Sequence, residues 1–307
     1  MLTRPIPLIE LDWAGFRPWA VAPVKHRISD HPLFQIDKLL ALAKRLEAKG
    51  RIRAHRNDAQ AGTPFGAAAD LHPVNTPLME SLEHIEAAGA WMSLLNVQTD
   101  DVYRGLVDEV LGSISPQIEA KDPGMSYRGG WIFVTSPRTV TPFHIDKEHN
   151  FILQIKGRKK IYVWEPDDIR VVSDAARRRF HSRHNRDLIA WREEFRALAH
   201  CFDVGPGEGA YMPSTSPHLV EVGEEPSITM SFTYYTNSTR RRGLVHKTRG
   251  RLAEHGLNLP EGWSNGRLDE ALYWGASTAQ SATRLLYRAS GRKIGQETSP
   301  YARADSM

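Results

Sequence analysis

Thr141-Pro-Phe-His144-Ile-Asp146-Lys-Glu-His-Asn150-Phe-Ile-Leu-Gln-Ile-Lys156-Gly-Arg-Lys159-Lys-Ile-Tyr-Val-Trp164 is the stretch that decides the reading of this chain. It places two metal-ligand residue types, His144 and Asp146, two positions apart. In a strand, residues i and i+2 project to one face, so both side chains would reach a single ion. A second histidine, His218, follows a long intervening segment in Met212-Pro-Ser-Thr-Ser-Pro-His218-Leu-Val-Glu-Val222. Two histidines and one carboxylate with open positions form the facial triad of non-haem Fe(II) oxygenases. A His-x-Asp tripeptide alone is weak, since thirteen histidines occur in the chain and most such residues sit on surfaces or in satisfied cores. The distal His218 in a strand pattern, and the lysines after the first strand, strengthen it.

Outward from this stretch the pattern has period two. From about residue 126, Trp131-Ile-Phe-Val, 150–155, 160–164, 209–212, 218–222 and 228–235 read as strands, punctuated by Gly157, Pro166, Gly205-Pro-Gly207 and Gly223. Short strands with Gly/Pro turns and few helices between them predict a mainly β fold with flanking helices, a jelly roll or double-stranded β-helix. Residues 174–200 read as a helical insertion. Before the barrel, residues 1–30 read as an irregular arm. Helices are predicted over 31–46 and from Thr76-Pro77, with loop and short pieces over 51–74, a short strand from Trp91, and a helix from Asp100 ended by Gly112. Beyond Tyr235 the polar Thr-Asn-Ser-Thr breaks the strand pattern, helices are predicted around 246–256 and 268–290, and a disordered Ser/Ala/Asp tail follows. The predicted organisation is therefore 1–124, a helical and irregular region packed on the barrel; 125–239, the barrel; and 240–307, a helical region and tail.

Composition excludes some classes. One cysteine, Cys201, leaves no intrachain disulfide framework and fits a reducing compartment. No apolar run reaches membrane-spanning length, and prolines interrupt the N-terminal stretch where a signal peptide needs apolar continuity, so a cytoplasmic protein is expected. The net charge of +4 comes largely from two clusters, Arg177, Arg178, Arg179, Arg183 and Arg186, then Arg240, Arg241, Arg242, Lys247, Arg249 and Arg251. The first reading of these is a solvated helical face, the second an acidic ligand. Nucleic-acid binding comes last, because charge alone specifies no sequence.

A cosubstrate such as 2-oxoglutarate would chelate the metal through its keto-acid end and bury a second carboxylate, which needs a cationic partner. Lys156, Lys159 and Lys160 are the supply, and strand alternation puts Lys159 and Lys160 on opposite faces.

The motif Thr-Pro-Phe-His-Ile-Asp…Asn-Phe…Gln-Ile-Lys-Gly-Arg-Lys, with the Gly205–Pro213 turn and strand leading to His218, resembles the core of the JmjC/cupin-like Fe(II)/2-oxoglutarate-dependent hydroxylases over about 125–236. The resemblance implies that His144, Asp146 and His218 hold Fe(II). It implies that Thr141 and Lys159 bind the distal carboxylate of 2-oxoglutarate, with Asn150 beside its other end. Ser231 stands where the family carries an asparagine, and Ser-Thr-Ser-Pro replaces the aromatics usual before the distal histidine. The implied activity is hydroxylation of a protein side chain or small molecule. The alternatives are a cupin metalloenzyme of another class, an isomerase or cofactor-free dioxygenase, which would not need Lys159 and Thr141, and a non-enzymatic sensor, which would not require the entire triad. A homodimer through the C-terminal helices, Leu268 to Leu286, is expected as the commonest isologous arrangement.

Overall fold

In the computed structural model, residues 7–186, 188–259 and 266–289 are described. The first six residues of the N-terminal arm and the polar tail from 290 lie outside them. All strand pairings are antiparallel, in two sheets. The larger runs β1 (Ile9–Glu10), β2 (Ala22–His26), β10 (Glu208–Met212), β7 (His149–Lys156), β12 (Ser227–Tyr235), β5 (Ser126–Thr135), β4 (Ala90–Leu94) and β3 (Ile52–Arg56). The smaller runs β6 (Val140–His144), β11 (His218–Val222), β8 (Lys159–Val163) and β9 (His200–Val204).

Alternation along the strands builds the layers. In β7, Phe151, Leu153 and Ile155 point away from the small sheet, as do Met230, Phe232 and Tyr234 of β12. They pack on the apolar faces of α1 (Ile36–Glu47) and α4 (Asp101–Lys121), through Leu39, Leu42, Leu46, Val107, Val110 and Ile114. The intervening Ile152 meets Ile161, Val163, Met212 and Val220, so the two sheets face each other as in a jelly roll. The outer face of the small sheet, Phe143, Tyr162, Trp164 and Leu219, is covered by the segment 171–195, including α5 (Asp174–Arg183). Short α2 (Ala68–Leu71) and α3 (Leu78–Glu83) connect β3 to β4, while α6 (Asn237–Glu254) and α7 (Gly266–Ala289) follow the last strand. Gly157, at φ +73°, closes the β7–β8 turn, where a Cβ would lie 2.4 Å from the Pro226 carbonyl oxygen.

Several predicted elements differ. The region before residue 124 is not only helical and irregular: it supplies β1 to β4, half of the large sheet. β3 falls where loop and short pieces were expected, because its polar residues take up partners that only the fold supplies, as when buried His55 stacks on Trp91 at 4.6 Å. Gly112 does not end α4; the buried row continues through Ile114 and Ile118, and this burial outweighs the backbone bond that Pro116 forfeits. The polar Thr236-Asn-Ser-Thr239 starts α6 through a capping box between Thr236 and Thr239. The insertion is helical only over α5 and a 3₁₀ stretch, Glu193–Leu198.

The arginine clusters are split between core and surface: Arg177, Arg178 and Arg249 are buried, while Arg179, Arg183, Arg240, Arg241 and Arg251 are exposed. Arg177 is 1% exposed, Arg249 is buried against Asp269 at 2.5 Å, and Arg242 meets Asp167 at 2.5 Å. Among the described residues no helix is long and apolar enough to cross a membrane.

Candidate metal centre

His144 ends β6 and His218 opens β11, and the two are register partners in adjacent strands, with ring centroids 4.0 Å apart. Each imidazole is fixed by its own backbone. Nδ1 of His144 lies 2.7 Å from the Pro142 carbonyl oxygen, and Nδ1 of His218 lies 3.1 Å from that of Ser216. A carbonyl only accepts, so each Nδ1 carries a proton and each ring turns its Nε2 outward. Both Nε2 atoms face one oxygen of Asp146, Oδ2, at 3.5 and 3.6 Å. Donors bound at about 2.1 Å and at right angles sit about 3 Å apart, so this spacing suits a shared ion with a small inward adjustment. Phe65, from the segment before α2, stacks flat on His144 at 3.7 Å and fixes the ring from the other side.

Asp146 reaches the cluster differently from the strand argument. β6 stops at His144, and Asp146 lies just beyond, where its carbonyl accepts from the Thr215 backbone N–H at 2.8 Å. Its second oxygen, Oδ1, accepts from Arg186 Nη2 at 3.0 Å. Burial opposes the Asp146 charge, but His144, His218 and Arg186 outweigh it and hold the carboxyl well below the usual carboxylate range. Burial lowers His218 to about 3, leaving a neutral imidazole at neutral pH, the form that binds a metal. These are the three residues that could hold a metal ion among those described: their donor atoms all lie within 4.8 Å of one another.

The pocket behind this cluster is lined by Thr141, Asn150, Lys159 and Ser231 as well as by the three donors. Lys159 is 4% exposed, and burial alone lowers its amine to about 7. Lys156 and Lys160 are exposed on the outside of the barrel. Thr141 Oγ1 accepts from Trp91 Nε1 at 2.8 Å, which leaves the hydroxyl proton of Thr141 free to donate elsewhere. Asn150 Nδ2 donates to Ser231 Oγ at 3.2 Å, and Asn150 Oδ1 is buried without a hydrogen-bond partner. A β-bulge brings Thr141 and His144 to one cavity. Pairs His218–His144 and Val220–Thr141 step two residues along β11 but three along β6, so an odd spacing still lands on one face.

Other histidines serve the scaffold. His149 is buried, accepts from the Ser214 backbone N–H at 3.1 Å and lies 3.7 Å from Asp122. His181 stacks on His246 at 5.2 Å, between α5 and α6.

The walls include residues that the motif reading did not single out: Phe65, Trp131, Phe133 and Glu148. The alternation of Trp131-Ile-Phe133 was a usable signal, since it places both aromatics on one strand face. Glu148 accepts from Tyr235 Oη at 2.8 Å. Burial, and then the Asp146 charge, raise its carboxyl. Arg186 had no local signal, because its partner lies 40 positions away.

Among solved structures, the chain resembles the ribosomal oxygenase YcfD from Escherichia coli. Against that protein in complex with cobalt and 2-oxoglutarate, the identity is 17% and the TM-score 0.47, covering 83% of this chain and 60% of the other. Against its complex with cobalt and succinic acid the values are 15% and 0.43, covering 89% and 67%. The chain thus spans about 60% of the length of the first of these structures. No curated protein matches the chain by sequence. The profile of the family described as cupin-like domain matches residues 23–240, most of the chain and both sheets, and the chain belongs to that family.

Proposed function

We propose that this protein is an Fe(II)- and 2-oxoglutarate-dependent oxygenase, a hydroxylase of a protein side chain or small molecule. One observation carries the reading: three metal-donor side chains converge at one end of a pocket that also contains a buried, unpaired lysine and a threonine hydroxyl with a proton to give. The donor set fits the metal. Two imidazoles held by backbone carbonyls through Nδ1 and one ionised carboxylate occupy one side of an ion and leave its other positions for ligands.

His144, Asp146 and His218 would hold Fe(II), which supplies O2 activation coupled to decarboxylation of the keto acid to succinate. The remaining work falls to the chain. Lys159 is the charge partner for the distal carboxylate, since an ammonium buried alone is as costly as an anion buried alone, and pairing relieves both. Thr141 donates its hydroxyl proton to the same carboxylate, held in that role by Trp91. Asn150, tethered by Ser231, offers its amide to the other end of the cosubstrate. Ile152, Met212 and Val220 line the pocket with hydrocarbon and strengthen these polar contacts by excluding water.

An isomerase or a sensor has no use for a buried cation opposite the metal, and that favours the oxygenase. The reading extends to a cytoplasmic protein, supported by its lone free Cys201, and to a homodimer through α7, whose Trp274 is 59% exposed. The test is anaerobic reconstitution with Fe(II), then admission of O2 and measurement of succinate across a panel of peptides, amino acids and metabolites. Substrate-dependent succinate release is the expected result. Absence of 2-oxoglutarate binding to the metal-loaded protein would refute the assignment.

A further inference from the structure

We propose that Arg186 is a positioning residue that confines Asp146 to a single metal-facing oxygen and so keeps a coordination position open for the cosubstrate. The inference rests on the metal reading above and concerns a residue far from the motif, in the segment linking β8 to β9.

Asp146 lies past the end of β6, and no ladder bond fixes its side chain. Arg186 grips this segment with two edges of one guanidinium. Nε donates to the Ile145 carbonyl at 3.0 Å and Nη2 donates to Asp146 Oδ1 at 3.0 Å. Its third edge, Nη1, lies 3.1 Å from Nε2 of His184, which burial keeps neutral and able to accept. The guanidinium also lies over the Phe180 ring at 4.7 Å and is 5.6 Å from the Phe65 ring, which itself stacks on His144. The side chain is 13% exposed.

Such a planar fork, fixed on three edges and over a ring, is better ordered than an exposed ion pair, and lysine cannot reproduce it. Its effect on Asp146 is directional. Oδ2 faces both imidazoles while Oδ1 is taken up by Arg186. A carboxylate released from this hold has two equivalent oxygens and is able to chelate a metal through both. The second oxygen would then occupy a position that a keto acid needs. A merely structural ion pair would fail differently, by loosening the whole site.

The experiment compares wild type with Arg186→Met and Arg186→Lys in the full chain, using Co(II) as the metal probe, its visible absorption as the readout of coordination, and 2-oxoglutarate titrated under nitrogen. Arg183→Ala is the control, since that exposed arginine, in the same segment as Arg186, pairs with Glu254 at the end of α6. We expect Arg186→Met to hold Co(II) alone within about threefold of wild type, because no donor is lost, yet to weaken 2-oxoglutarate roughly tenfold, about 1.4 kcal/mol, because the second oxygen of Asp146 then competes for its position. The Co(II) spectrum should change in Arg186→Met. Arg186→Lys, which keeps the charge without the fork, should show the same change and supplies the result if the Met variant does not fold. Arg183→Ala should match wild type. An unchanged spectrum with unchanged 2-oxoglutarate affinity overturns the proposal, and so does a parallel loss of Co(II) and 2-oxoglutarate binding with a lowered Tm. Failure of the wild type itself to bind Co(II) would instead sink the metal reading, and the proposal with it.

Discussion

Lys159→Ala is the substitution that separates an oxygenase from the other enzymes this fold could house. The ammonium is 4% exposed, and no side chain lies against it as a counter-charge. A hydrogen bond between charged partners contributes roughly 1.5–3 kcal/mol, and an anion left buried without its cation puts the loss at or above the upper end. At about 1.4 kcal/mol per tenfold, 2-oxoglutarate should bind on the order of a hundredfold more weakly. The assay is calorimetric titration of 2-oxoglutarate into Co(II)-loaded protein under nitrogen, with metal content measured separately. Metal content should be unchanged, because no donor atom has been touched. Lys156→Ala and Lys160→Ala, exposed on the outside of the barrel, should bind normally. A keto acid without the distal carboxylate should not distinguish wild type from Lys159→Ala. Wild-type affinity in Lys159→Ala, combined with a loss in Lys160→Ala, would show that the face assigned to this strand is wrong.

The same lysine sets a pH dependence. Burial lowers it to about 7, so above that pH the free protein increasingly holds a neutral amine, and 2-oxoglutarate affinity should fall about tenfold per pH unit in calorimetry. The sign for stability is opposite: the folded-state value lies below the unfolded one of about 10.4, so burying the ammonium costs stability below about pH 7, and that cost fades as pH rises towards 10.4. Lys159→Met should therefore raise Tm at pH 7, measured without ligand. His144→Ala and Asp146→Ala should each abolish stoichiometric Co(II) binding, whereas His149→Ala should keep the metal and lose stability, because its partners are the Ser214 amide and Asp122. Light scattering at micromolar concentration should give a dimer mass, reduced to monomer by a charge at the exposed Trp274; a monomeric wild type would remove the dimer.

What the sequence made legible was whatever repeats locally. Period-two runs from residue 126 marked the strands, and Lys159 and Lys160 separated onto opposite faces as alternation requires. His144, Asp146 and His218 were visible as ligand types and do meet in space. Features that depend on distant partners were not. Nothing near Arg53-Ala-His55 signals a strand until Trp91 stands beside it. The arginines of 177–186 and 240–251 have the composition of a wet surface, yet Asp167, Asp269 and Asp146 draw several of them inward. Asp146 itself was expected to be aimed by strand alternation. It is aimed by Arg186 and by the Thr215 amide instead.

The bulge in β6 has a further consequence, because it makes side-chain parity a property of the bulge rather than of the motif. Thr141 and His144 are three positions apart and share a cavity only because one surplus residue is absorbed between them. Shortening the strand by one residue between Thr141 and His144 would restore a regular ladder with the two residues two positions apart, so both would still face the cavity and the bulge would no longer be needed. Within this five-residue strand the two functions are kept in phase by an irregularity, and a comparison that aligns the ladder without it would assign Thr141 to the wrong side of the wall.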